Sequence, residues 1–201
     1  MATELQIREQ LDTMRSLPQR LERLARSLGT VQWPGQPMRM NFPSGMELTD
    51  EERKWIEGRL RALQAIVTGE NLGAGECSKA RLSLLTKLLL GFPAAGAATD
   101  KAADARLGFY LDAVGDLAPW AVDAAIKRWV RGDVDNGNVD FAPSPGALRR
   151  LCEAELEPYR AVVAKLIRLQ GAVPIDRAMD PAPIETDLPV SWRPQHLRVM
   201  P

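Results

Sequence analysis

The chain has 201 residues, 45% hydrophobic and 26% charged but only 5% aromatic, a size and balance that suit one packed domain with appendages. Lys plus Arg and Asp plus Glu both number 26, so the net charge is zero and any contact with nucleic acid or membrane must come from a local patch. The two cysteines, Cys77 and Cys152, lie far apart and the single histidine, His196, sits near the end, a pattern that argues against a structural zinc site; no metal or cofactor is expected.

The charged start of the chain lacks the apolar run of a signal peptide, and no stretch approaches the roughly 18 apolar residues of a membrane span, so a cytoplasmic protein is expected. Ile7, Leu11 and Met14, then Leu17, Leu21, Leu24 and Leu28, recur at heptad-like steps. Ser16 and Gln19 have the spacing of a capping box, with Pro18 in the first turn. Residues 1–28 therefore read as a helical arm, either pairing two copies as a coiled coil through residues 7–28 or folding back on its own core.

Residues 29–48 carry three prolines and three glycines without helical period and read as a linker, whose Trp33, Met38, Met40 and Phe42 pack along a surface or receive a partner. Thr49 and Glu52 then open the clearest helix, with Ile56, Leu60, Leu63 and Val67 on one face and Gly69 as its stop. A second helix over 78–90 is apolar around a wide arc through Leu82, Leu84, Leu85, Leu88 and Leu89, which predicts burial on more than one side and the centre of the core.

A third helix from about Asp100 presents Leu107, Tyr110, Leu111 and Val114; Asp116 is placed to cap a fourth, in which Val122, Ile126, Trp129 and Val130 line one face. After the turn-rich loop 133–140, Ser144 and Pro145 start a fifth helix whose stripe, Leu148, Cys152, Leu156, Tyr159, Val163, Leu166 and Leu169, continues in phase through Pro158, so a kink or two nearly collinear helices are expected there. Residues 49–171 thus form the helical domain. Beyond Gly171 six prolines punctuate a segment that reads as a disordered tail, 172–201, carrying the apolar island Leu188-Pro-Val-Ser-Trp-Arg-Pro, either a short linear binding motif or an anchor folding back on the domain. The fold class is all-α: a small helical bundle with an N-terminal helical arm and a disordered, Pro-rich C-terminal tail.

Catalytic patterns fail one by one. A triad would need His196 in the core. The run from Gly73 to Ala80 has Ser78 where a phosphate loop needs its second glycine and Ala80 where it needs a hydroxyl, so a turn leading into the next helix is the better reading. Counted from Asp133, a calcium loop would need glycine and glutamate where Asn138 and Ser144 stand. A non-enzyme is expected. Lys127, Arg128 and Arg131, with Arg149 and Arg150 across the loop, are candidate nucleic-acid contacts, although cations near a helix end also offset its dipole.

The run from Gly108 to Arg131, followed by Phe141-Ala-Pro-Ser-Pro-Gly-Ala-Leu-Arg, resembles the phage and prophage replicative helicase loader and inhibitor family. Tyr110, Val122, Ala125, Phe141, Pro143, Ser144, Pro145 and Leu148 fit its outline, while Ala142 stands where the family often has proline. The likeness covers residues 105–151. It implies a non-enzymatic accessory protein of DNA replication that binds the replicative helicase, loading or inhibiting it; Phe141, Pro143 and Pro145 in the matched segment and Leu188, Trp192 and Arg193 in the tail island are the candidate partner contacts. The alternatives are a DNA-binding protein of phage packaging or regulation, similar to a terminase small subunit, and a helical scaffolding protein.

Overall fold

The computed structural model describes residues 12–32, 38–69, 73–92, 100–135 and 137–174. The protein is mostly helical. After a helical turn at 12–15 come helix α1 (Gln19–Ser27), strands β1 (Gly29–Val31) and β2 (Arg39–Phe42), helices α2 (Asp50–Thr68), α3 (Ala74–Gly91), α4 (Asp100–Val114), α5 (Pro119–Arg131) and α6 (Pro145–Gly171), and strand β3 (Val173–Pro174).

Local chemistry accounts for several boundaries. The Thr49 hydroxyl accepts from the Glu52 backbone N–H at 3.2 Å while the Glu52 carboxylate accepts from the Thr49 N–H at 2.9 Å, so both ends of the capping box are closed. Gly69 stops α2 in the left-handed region at φ 75°. The Ser144 hydroxyl accepts from the Ala147 N–H, with Pro145 in the first turn of α6. Other expected caps are not made. The Ser16 hydroxyl donates back to the Thr13 carbonyl, leaving Pro18 at the α1 boundary without a side-chain cap. Asp116 pairs with Arg149 instead, and α5 begins at Pro119 behind Ala118.

Helix α6, about 40 Å long, is the axis of the molecule. It is one helix, because the carbonyl that Pro158 cannot serve belongs to Ala154, on the exposed side where water can take its place. Its second half, through Tyr159, Val162, Val163, Leu166 and Leu169, joins Leu21, Leu24, Phe42, Leu48 and the α2 stripe Ile56, Leu60, Leu63 and Val67 in a first core. Its first half, through Leu148, Cys152 and Leu156, joins Leu85, Leu88, Tyr110, Val114, Leu117, Val122 and Ala125 in a second. Trp120 packs against both, its indole N–H donating to the Ile66 carbonyl at 2.9 Å and its ring meeting Tyr159 edge-on at 5.3 Å.

Two expectations change here. The centre is α6 and not α3, whose arc is covered on one side only. The domain also reaches past 49 and 171: the expected linker supplies β1 and β2, paired antiparallel, and Ala172, Val173 and Pro174 continue from α6 to add β3 parallel to β2. Phe42 and Leu48 are buried there, which a spacer would not allow. In this sheet Asn41 is the buried polar residue; a Cβ on its partner Gly29 would lie 2.9 Å from the Asn41 Oδ1, so a larger residue there would push that side chain aside. The heptad-like stripe of the arm is spent internally, with Leu21 and Leu24 buried and Met14, Leu17 and Leu28 packed against the first core. A coiled coil between copies through that stripe would have to withdraw it from its own domain. Ile7, Leu11, Trp33 and the tail expectation for 175–201 lie outside the described residues.

Candidate partner-binding surface

The connection between α5 and α6 is held by its own polar groups. Gly132, at φ 77°, lets the chain leave α5 while its N–H and that of Asp133 satisfy the carbonyls of Trp129 and Arg128 at 3.0 Å each. Asn138 then organises the loop, its side-chain oxygen accepting from the Asp140 N–H at 3.1 Å and its carbonyl from the Phe141 N–H at 3.3 Å.

Two aromatic side chains tie the far end down. The Trp129 indole N–H donates to the Phe141 carbonyl at 2.8 Å, and the Tyr110 hydroxyl donates to the Pro143 carbonyl. Gly137 lies against the Trp129 ring so closely that a Cβ would come within 2.9 Å of it. With its backbone bonded on both sides, the loop buries Pro143, half-buries Pro145 and leaves the Phe141 ring 61% exposed. An aromatic ring held outward on a bonded backbone is a pre-organised contact, since little chain entropy remains to be lost on binding. Val130, expected in the core, is instead 61% exposed at the end of α5, and Val139 is exposed in the same connection. The helical period set Val130 on one face with Trp129, but only Trp129 is buried, and Val130 lies uncovered among the described residues.

The basic candidates are largely neutralised by neighbours. Arg149 is bidentate to Asp116 at 2.7 and 2.9 Å, reaches Glu153 at 2.9 Å and donates to the Ala113 carbonyl. That pairing holds the Asp116 carboxyl below its ordinary range and the guanidinium above its own. Arg128 bonds Glu155 and the Asp133 carbonyl, each at 3.1 Å, and Lys127 pairs with Asp123 at 2.8 Å. Of the five, Arg131 and Arg150 are exposed without a carboxylate partner among the described residues, too few to form the expected patch. The acids that cancel the others lie one helical turn away or across a loop, so the cationic residues alone suggested more free charge than the fold presents.

Both cysteines are buried, and burial pushes the Cys152 thiol up to about 12, far from nucleophilic. Among the described residues no three His, Cys, Asp or Glu side chains converge as a metal site would require, and no helix is long and apolar enough to cross a membrane. Leu188, Trp192 and Arg193 lie outside the described residues. No family model, curated protein or solved structure matches the chain.

Proposed function

We infer that the protein is a non-enzymatic phage or prophage DNA-replication accessory protein that binds the replicative helicase and loads or inhibits it. The observation that carries this reading is Phe141, exposed on a backbone pinned through Trp129 and Tyr110. The same segment, with Pro143, Ser144, Pro145 and Leu148, carries the family resemblance. In the complex the Phe141 ring enters an apolar pocket of the helicase, with Val130 and Val139 widening the contact and Leu188, Trp192 and Arg193 supplying a second attachment. Burying such a ring contributes roughly 1.5–3 kcal/mol, enough to decide between association and none at working concentrations.

Titrating the host replicative helicase into the full chain tests this. Saturable binding that weakens at least about tenfold for Phe141→Ser, with further loss in a chain ending at Pro174, is the expected result. No association by the wild-type chain, or full affinity in the Phe141→Ser variant, overturns it.

A further inference from the structure

Helix α3, which lends Leu85 and Leu88 to the second core, offers a second exposed apolar surface. Its leucines cover a wide arc, a pattern suited to burial on more than one side. Leu85 and Leu88 are buried and Leu84 and Leu89 pack against them, but Leu82 and Leu90 are exposed, Leu90 by 76%. Leu82, Thr86 and Leu90 follow one another at four-residue steps, with Leu89 seven residues after Leu82, so all four share one side of the helix. Helix α4 packs on α3 and leaves Phe109 67% exposed as well.

Beside the exposed leucines, the charge that α3 leaves unpaired is positive. No acid occurs between Glu76 and Asp100, and the exposed flank of the leucine stripe carries Lys79, Ser83 and Lys87. Lys79 pairs at 3.0 Å with Glu76, one turn back toward the helix start, whereas Lys87, one turn before Leu90, has no partner among the described residues.

We propose that this face docks an amphipathic helix of a partner protein, whose apolar stripe covers Leu82 and Leu90 and whose flanking carboxylates meet Lys87 and Lys79. The exposed stripe spans two turns, about 12 Å, which suits the i, i+3/i+4, i+7 anchors of a helix laid along a groove. A lipid surface is a poorer match, because interfacial helices carry a long apolar stripe and several cations. A second copy is also a poorer match, because the one acid on α3, Glu76, is already paired with Lys79, which leaves no free carboxylate on that helix to meet Lys87 of another copy.

Two synthetic peptides of about 18 residues with the same leucine stripe at i, i+3/i+4 and i+7, one flanked by glutamates and one by lysines, provide the test by fluorescence anisotropy with the full chain. The glutamate peptide is expected to bind at least tenfold more tightly than the lysine peptide, with affinity falling as salt rises. Leu82→Ser/Leu90→Ser and Lys87→Glu are each expected to lose most of that binding, while Phe141→Ser keeps it. Both altered sites are exposed, so folding is preserved, and circular dichroism verifies this. Equal binding of the two peptides, no binding, or unchanged affinity in the Leu82→Ser/Leu90→Ser variant overturns the proposal. So does preferential binding to vesicles of anionic lipid, or a dimer that Leu90→Ser dissociates.

Discussion

The two cores that share α6 are finished differently. The first is sealed by polar clamps drawn from distant parts of the chain. Arg59 donates to the carbonyls of Thr13 and Ser16, Arg20 pairs with Glu52 and donates to the Glu47 carbonyl, Lys165 meets Glu22 at 2.9 Å, and the Arg15 guanidinium lies over the Tyr159 ring at 5.0 Å. The second has clamps of its own, Arg149 to Asp116 and the Ala113 carbonyl and Arg128 to Glu155, yet leaves more apolar surface exposed. Of the nine large apolar side chains exposed among the described residues, six (Leu82, Leu90, Phe109, Val130, Val139 and Phe141) belong to the elements around it. Exposed apolar side chains are thus concentrated around the second core; under the proposed function that end is the working face and the other the scaffold.

That division can be broken first by core truncation. Leu166→Ala in the first core and Leu148→Ala in the second, both fully buried, should each cost about 2–5 kcal/mol. If α6 couples the cores, denaturant melts followed by circular dichroism and by tryptophan fluorescence will coincide for both variants; two separated transitions would make the cores independent units. A smaller loss is expected at the seam. Gly69 ends α2 with a positive φ, and a Cβ there would lie 3.0 Å from the Pro119 ring and 3.4 Å from the Ala118 Cα, so Gly69→Ala should cost about 1–2 kcal/mol and lower the melting temperature of the whole protein.

Removing the Trp129 N–H by Trp129→Phe should cost roughly 1 kcal/mol, and hydrogen exchange should accelerate in residues 137–143 before it does so in the first core. The smallest effect concerns pH. Lys165 lowers the Glu22 carboxyl and Arg149 lowers that of Asp116; at Glu52 burial pushes upward but the bonds from Arg20 and Thr49 outweigh it. These groups bind protons less readily folded than unfolded, so their contribution is complete above roughly pH 4–5 and is lost as pH falls through the depressed folded values. Asp116→Asn should flatten part of that acid decline, by less than about 1 kcal/mol because the pair is half exposed, in urea titrations at pH 3 and pH 6.

Which parts were legible follows from the range of the interactions involved. The α2 stripe, the Thr49–Glu52 capping box, the Gly69 stop and the α6 start at Ser144 and Pro145 are local codes, and the structure carries them where the spacing placed them. The sheet is not local: β3 is two residues long, ends in proline, and pairs with a strand more than 130 residues earlier, so no alternation announces it. The arm offered a heptad-like stripe that suits pairing and folding back equally, and only the position of α6 decides between them. At the candidate surface, Phe141 is visible as a motif residue, but its exposure depends on Trp129 and Tyr110 reaching the loop backbone, and the cancelling of Arg149 depends on Asp116, 33 residues earlier in the chain. Helix α3 departs from the expectation because Leu82 and Leu90, apolar on the arc that the pattern assigns to burial, are left uncovered among the described residues.

The most direct comparison of scaffold and working face pairs stability with helicase binding in one variant, Phe141→Ser. Because the ring is exposed, its melting temperature should match that of the wild-type chain, while affinity for the replicative helicase falls at least about tenfold. A variant that melts early, or one that binds as tightly as the wild-type chain, would contradict the assignment of the second core as the docking face.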